Sequence, residues 1–461
     1  MVSVPCVVVA APASGSGKTT VATGLIGALR RVGHAVAPFK VGPDFIDPGY
    51  HGLAAGRPGR NLDPVLVGER LIGPLYAHGA GGTDIAVIEG VMGLFDGCIA
   101  SPESPPITPA PGSTAHVAGL LGAPVVLVVD ARGQSQSIGA LLHGFSTFDA
   151  ATRIAGVILN RVGSARHEQV LRQACEQAGV PVLGAVPRAA ELELPSRYLG
   201  LVTAVEYGRR ARAAVDAMTD LVARHVDLAA VVAVAASRVT APAWDPAEAV
   251  GAHGIPVTVA VAAGRAFSFG YAEHAELLGA AGADVVEFDP LVDPLPDGTD
   301  AVVLPGGFPE QFTAELAANG VVRNQIRELA AGGGPVHAEC AGLIYLVSEL
   351  DGHPMCGVLS GSARFTPHLT LAYREAVAVT GSTLYAAGER AVGHEFHRTA
   401  VEFADAYEPA WAYRANDGKT IRDGAVHGRV HASYLHTHPA AAPGAITRFV
   451  AHAAARRVPR A

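Results

Sequence analysis

Residues 11–20 read Ala-Pro-Ala-Ser-Gly-Ser-Gly-Lys-Thr-Thr, and their flanks constrain the fold more than any other feature. Before them stands VPCVVVAA at 4–11, a short, continuous, β-branched run of the kind that fills a strand buried on both faces of a parallel sheet. After them, 18–32 keeps helical spacing and stops at Gly33. A glycine-rich turn between strand and helix that ends in Gly-Lys-Thr is the setting of a phosphate-binding P-loop. Gly15 and Gly17 let backbone N–H groups close on phosphate oxygens. Lys18 offers a compact ammonium to the terminal phosphates, and Thr19, with Thr20 beside it, offers a hydroxyl to Mg²⁺. The helix N-terminus adds a favourable dipole. Pro12 stands where the four-spacer motif has its first glycine, so a plain Gly/Ser turn is the competing reading. The coincidence of strand, loop, Gly-Lys-Thr-Thr and helix disfavours it.

Further buried-strand runs follow at 85–88, 124–129 and 154–159, with helical stretches at 113–121 and 167–179. Strand alternating with helix predicts a parallel α/β sheet. Functional side chains in such sheets gather at the carboxyl ends of the strands. Glu89 ends the strand AVIEG, placed to ligate Mg²⁺ directly or through water, or simply to close a turn. Asn160 ends GVILN, within reach of a nucleotide base or acting as a turn residue. Lys40 follows the strand HAVAPF, and Asp44 and Asp47 straddle the constrained loop behind it. Such a loop holds carboxylates near a metal or a transferred phosphoryl group, the alternative being an Asx-turn. Basic residues number 34, yet lysine occurs only at 18, 40 and 419. Two of the three lysines therefore fall at proposed phosphate or carboxylate contacts, where a point charge serves better than a planar fork. Lys419 lies in the turn Asn416-Asp417-Gly418 and reads as solvated.

After a helix near 208–225, a proline-bearing stretch at 241–255 reads as a linker between 1–240 and 256–461. A second α/β pattern begins there: strand 257–262, helix 272–281, strands 284–287 and 300–304, helix 310–317, strand 334–338, helix 341–350. The last hundred residues read as β-rich, with alternation at 373–380 and 427–435. Strand 334–338 runs into Glu339-Cys340-Ala341-Gly342 and a helix, the geometry of a nucleophile elbow, with a helix N-terminus expected to lower the Cys340 thiol pKa. Gly306 and Gly307, in a turn after another strand, are placed to form an oxyanion hole. His431, His436 and His438 offer bases at alternating positions of one strand face. Cysteine and histidine far apart in sequence but on neighbouring strand ends suit thiol hydrolysis. His394-Glu395-Phe396-His397 reads as structural or pocket-lining rather than a metal cluster, lacking a third ligand.

A P-loop half joined to a Cys–His half resembles the cobyrinate/hydrogenobyrinate a,c-diamide synthase family of cobalamin biosynthesis. The resemblance runs nearly end to end, on APASGSGKTT, FKVGPDFIDPGYH, NLDP, VIEGVMGLFDG, GSTAHVA, PVVLVVDA, GVILNRVGS, PGGFPE, HAECAGLIYL, GHEFHRT and HASYLHTH. It implies a dethiobiotin-synthetase-like P-loop domain that binds ATP and the corrin, followed by a class I glutamine amidotransferase domain. By that resemblance Cys340 is the glutaminase nucleophile and His436 its histidine. Lys18, Thr19 and Glu89 fall on ATP–Mg²⁺ positions, and Asp44, Asp47 and Asp96 on synthetase-site acids. The implied substrates are ATP, L-glutamine and hydrogenobyrinate or cobyrinate, with the presence of cobalt left open. Four positions depart from the family pattern: Ala341 for Gly, Tyr198 for His, Gly264 for Asp, and His438 where class I amidotransferases carry an acid. The last departure leaves the orienting partner of His436 open between another group and a backbone carbonyl. The alternatives are a sister amidotransferase acting on another tetrapyrrole acid and, in a different class, a nucleotide-controlled switch. A free-standing switch would leave the thiol half unexplained.

Net charge −8 argues against nucleic acid or an anionic membrane as partner, and no apolar run reaches the ~18 residues that a membrane span needs. Five scattered cysteines without a CxxC pair fit a reducing cytoplasm, and a homodimer is the default assembly.

Overall fold

The computed structural model describes residues 3–98, 107–188, 196–197, 200–251, 256–415 and 418–457. The described residues form two compact units that divide after Trp244. Within 241–255, Trp244 N donates to Pro74 O in the first unit, while Asp245 caps a short helix, Pro246–Val250, of the second. Residues 252–255, Tyr198, and Asn416 and Asp417 of the Lys419 turn lie outside the described residues, as does most of the Pro/Ser-rich stretch 98–112, whose ends are tied by Cys98 N donating to Pro111 O.

The first unit is built on seven strands: β1 (Cys6–Ala10), β2 (Val36–Val41), β3 (Arg60–Leu62), β4 (Ile85–Glu89), β5 (Val125–Asp130), β6 (Ile154–Val162) and β7 (Val182–Pro187). All neighbours pair in parallel, in the order β3-β2-β4-β1-β5-β6-β7. Every residue of β1 is buried, which is why its sequence shows no polar alternation. From β1 the chain passes to β2 on one side and later to β5 on the other, so the carboxyl end of β1 is a topological switch point where open α/β sheets leave a crevice. The helix Lys18–Arg31 starts there. Lys40 pairs in register with Glu89, Glu89 with Val9, and Asn160 with Asp130, which brings these residues to one edge. The expected helices at 113–121 and 167–179 are Thr114–Leu121 and Ala165–Gln177, capped by Ser113 and Ser164. Strands β3 and β7 and the helix Ser137–Phe148 were not anticipated; β3, at three residues, is too short for a period to register.

The second unit has a six-stranded sheet in the order Ala283–Phe288, Val257–Ala262, Ala301–Leu304, Val336–Glu339, Val430–Ser433, Ala425–His427, parallel except for the last pair. A second sheet centres on the long antiparallel pair Gly361–Ala378 and Arg390–Phe403. The expected helix 341–350 stops at Leu346, and Glu349–Leu350 is already a strand. The expected helix 310–317 is a 3₁₀ turn, Pro309–Gln311, followed by Thr313–Ala318. Helices Gly320–Ala331 and Pro443–Arg457 lie outside the expected pattern, the second within a C-terminal segment whose sequence reads as β-rich. The stretch 427–435 is not one alternating strand. Val430–Ser433 belongs to the six-stranded sheet, whereas His436–Thr437 pairs with Arg390–Phe403 in the other. His431 and His436 therefore do not share a strand face.

Candidate functional site

At the carboxyl end of β1, Gly15 and Gly17 have φ of 79° and 91°, left-handed values that favour glycine. A Cβ on Gly17 would also stand 2.2 Å from Asn160 Nδ2. Asn160 is thus packed on the loop, donating from Nδ2 to Ser16 O at 2.9 Å. Arg161, itself at φ 60°, donates to Gly15 O and pairs with Asp130. That clamp was not anticipated, because nothing in the spacing links 161 to 15. Lys18 Nζ donates to Met92 O at 2.6 Å, and burial lowers its pKa against the opposing pull of Glu89.

Lys40 occupies the centre of the acidic cluster. Its Nζ lies 2.7 Å from Asp47 Oδ2, 3.1 Å from Glu89 Oε1 and 3.8 Å from Asp44 Oδ2, with the side chain 4% exposed. Burial alone would lower its pKa, but Asp47, Glu89 and Asp44 outweigh burial and hold the ammonium above its ordinary value. Asp47 is raised, by burial and then by Asp44. Glu89, although burial opposes it, is held down by Lys40, His51 and Thr19. Thr19 Oγ1 donates to Glu89 Oε1 at 2.7 Å and approaches Asp47 Oδ2 at 3.3 Å. The hydroxyl and two carboxylates are hard oxygen donors of the type that Mg²⁺ takes alongside nucleotide phosphates. Asp44 makes the Asx-turn weighed as an alternative: its Oδ1 accepts from Ile46 and Asp47 N–H while Oδ2 faces Lys40. Asp96 Oδ2 accepts from Gly93 N in the turn that also carries Met92. His51, 2.8 Å from Glu89 Oε2 and fully buried, is a site member that the sequence reading left without a role. The i,i+4 spacing from Asp47 on helix Asp47–Ala55 was the available signal.

In the second unit, Cys340 ends the strand Val336–Glu339 at φ 49° and ψ −96°, a conformation that non-glycine residues rarely adopt. The turn is the expected elbow, and Ala341, the first residue of the helix, carries no positive φ. The expected pKa direction is overturned. Burial, with Glu310, Glu339 and Asp423, raises the Cys340 thiol, and the N–H of Ala341 recovers only part. The helix that follows, Ala341–Leu346, is only six residues long. His436 is completely buried, and burial pushes it down to about 4 against the pull of Glu339, so it is neutral at neutral pH. Its ring stacks on His394 at 5.0 Å, and Gly306 lies so close that a Cβ there would be 2.2 Å from His436 Cε1. Gly307 is wedged against Ala266 O, where a Cβ would stand at 2.1 Å. Cys340 Sγ lies 3.9 Å from Phe396 O, two residues along the strand from His394. Thiol, imidazole and glycine turn thus share one neighbourhood. Glu339 Oε2 is 3.9 Å from His436 Nδ1. Glu395 is held by Arg374 and Tyr413, and His397 stacks on Tyr434, in keeping with a structural role for that motif. Gly264 has φ 94°, which explains a glycine at that departure from the family pattern.

Among the described residues, no cluster of three or more His, Cys, Asp or Glu forms a metal cage, and no helix is long and apolar enough to cross a membrane.

Residues 7–202 match the CobQ/CobB/MinD/ParA nucleotide binding domain family, and 258–443 match the CobB/CobQ-like glutamine amidotransferase domain family. The chain is 78% identical to the hydrogenobyrinate a,c-diamide synthase of Mycobacterium bovis, over 99% of this chain and 100% of that one. It is 54% identical to the protein of the same name from Streptomyces coelicolor, over 97% of each. It is 41% identical to the cobyrinate a,c-diamide synthase of Syntrophotalea carbinolica, over 97% of this chain and 98% of that one. With a nucleotide-binding unit and a thiol-bearing amidotransferase unit matched along almost the whole length, this chain belongs to the hydrogenobyrinate/cobyrinate a,c-diamide synthase family.

Proposed function

We propose that this enzyme uses ATP and the amide nitrogen of L-glutamine to convert the a- and c-acetate carboxylates of hydrogenobyrinate to amides. The observation that carries this reading is one chain with two chemistries: a P-loop beside a carboxylate cluster, and a strained cysteine beside a neutral buried histidine. The metal-free substrate is favoured over cobyrinate because the relatives at 50–78% identity bear the hydrogenobyrinate name, while those named for cobyrinate stand at 41% or below.

In the second unit, Cys340 Sγ attacks the side-chain amide carbon of glutamine. Because the thiol is held protonated, its proton passes to His436 as the C–S bond forms. His436 then delivers that proton to the departing ammonia, leaving a γ-glutamyl thioester that water cleaves. The turn at Gly306 and Gly307 supplies backbone N–H groups to the oxyanion. Ammonia is passed on rather than released to water, where it would be protonated. In the first unit, Gly15, Gly17, Lys18, Thr19 and Thr20 hold the nucleotide phosphates, with Asn160 bracing the loop. The γ-phosphoryl group moves to a substrate carboxylate oxygen, and ammonia displaces phosphate from the acyl phosphate. Lys40 offsets the charge of the substrate carboxylate, and Asp44, Asp47 and Asp96 position the groups around it. Thr19 and Glu89, with Asp47, would hold Mg²⁺, which neutralises phosphate charge when bound. A cytoplasmic homodimer is the proposed form; the five free cysteines accord with a reducing compartment.

The test separates the two sites. Cys340→Ala abolishes glutamine-driven synthesis and retains synthesis with added ammonium, whereas Lys18→Ala loses both, each read as product mass from hydrogenobyrinate. Joint loss in Cys340→Ala, or full synthesis in Lys18→Ala, would refute the division. Parallel incubation with cobyrinate tests the substrate, and light scattering the dimer.

A further inference from the structure

We propose that Glu339 is the positioning carboxylate of the glutaminase pair, fixing the strand that carries His436 and facing its Nδ1. The proposal rests on the reading of Cys340 and His436 as that pair. Class I amidotransferases place an acid two residues after the histidine, and this chain has His438 there. His438 is engaged elsewhere. Its ring packs on Tyr271 at 4.2 Å, and its Nδ1 accepts from Ala440 N in capping the turn Pro439–Ala441.

Glu339 reaches the histidine from the opposite direction in sequence, directly before the nucleophile. Its Oε1 accepts from Thr437 N at 3.1 Å and Thr437 Oγ1 at 3.0 Å, so it holds the residue next to His436 by backbone and side chain. Its Oε2 lies 3.9 Å from His436 Nδ1. On the far side His337 Nε2 stands 3.4 Å from Oε1. Cys340 N donates to Ser433 O at 2.8 Å, so the strand bearing the thiol and the segment leading to the histidine are locked together at this point. One side chain thereby sets the base relative to the nucleophile while carrying charge toward the ring.

That charge matters because the imidazole becomes a cation when it takes the thiol proton, and its surroundings are dry. The groups that face His436 are Glu339 from Val336–Glu339, His394, Glu395 and His397 from Arg390–Phe403, and Phe269 beside Gly306. His394 is kept neutral by burial and adds no charge beside the ring. The charge of Glu395 is answered by Arg374 at 2.5 Å. Glu339, ionised despite burial, stabilises the imidazolium and points Nε2 away from itself, as the acid of a Cys–His–acid triad does.

Glu339→Gln keeps an oxygen to accept from Thr437 and removes the charge. Its glutaminase kcat should fall about 10- to 100-fold, with KM for glutamine within about twofold. The pH profile of kcat/KM should move to lower pH, because the imidazolium loses its stabilising neighbour. Glu339→Asp should recover part of kcat and return the profile toward the parent. Ammonium-driven synthesis is the folding control. Three results would each overturn the proposal: a parental kcat and profile in Glu339→Gln, a lowered kcat with an unmoved profile that Glu339→Asp does not rescue, or joint loss of the ammonium-driven reaction. Glutaminase surviving in Cys340→Ala would instead sink the assignment of the pair, whatever Glu339→Gln does.

Discussion

Lys40 shows how one residue can decide the state of several others. Three carboxylates converge on its ammonium in a place almost closed to water. Arginine, the basic residue this sequence uses nearly everywhere else, is planar and would need a wider fork of acceptors. Removing one partner of a buried ionic cluster leaves the rest uncompensated, which typically costs about 3–5 kcal/mol. Lys40→Met is therefore expected to destabilise the protein by an amount in that range, read as a lower denaturant midpoint, and added Mg²⁺ should recover part of it by replacing the charge. Urea titrations with and without Mg²⁺ check this; an unchanged midpoint would mean that the carboxylates accommodate one another by protonation alone. At Cys340 the same logic runs through backbone. A φ of 49° at a residue with a Cβ costs on the order of 1 kcal/mol, held by the strand before it and the helix after it.

At the scale of elements, the P-loop works because a strand, two left-handed glycines and a helix follow without a spare residue. Gly17→Ala meets two obstacles, the positive φ and the Asn160 amide that a Cβ would strike at 2.2 Å. Because Asn160 is hydrogen-bonded to Ser16, it cannot simply swing aside. The expected result is at least about a tenfold loss of ATP affinity, by calorimetry, with glutaminase activity of the second unit retained. Elements also mark where sequence patterns mislead. Three histidines at 431, 436 and 438 look like one alternating face, but the chain changes sheet between Ser433 and His436. Periodicity records which positions are buried, not which neighbour a strand pairs with.

The whole molecule carries its buried titratable groups unevenly. In the second unit His274, His431 and His436 are pushed by burial to about 4, 3 and 4, and His394 well below its ordinary value. Unfolded, each would bind a proton near 6.5, so the stability they contribute is complete above that pH and declines as pH falls from 6.5 toward 4. Asp423, pushed up to about 7, works the other way and offsets part of this. Glu339 and Glu395, held down to about 2, lose their share only below about 4.5. Unfolding at pH 5.5 should therefore show this unit less stable than at pH 7.5 by on the order of 2 kcal/mol. An equal or higher midpoint at pH 5.5 would contradict the neutral histidine core. What the sequence determined by itself was local and repetitive: β1 and its loop, the alternation of strands and helices, the elbow at Cys340, Lys40 and Glu89 at strand ends, and Lys18 and Asp47 in the loops that follow strands. These are legible because burial and turn geometry act within a few residues. Only the tertiary structure decided that Lys40 faces three acids, that His51 sits on Glu89, that Arg161 clamps Gly15, that burial raises the Cys340 thiol, and that Glu339 rather than His438 stands against His436. Each of those depends on which strands lie side by side and how much water remains between them. Charge, distance and desolvation across such contacts have no fixed spacing in a sequence.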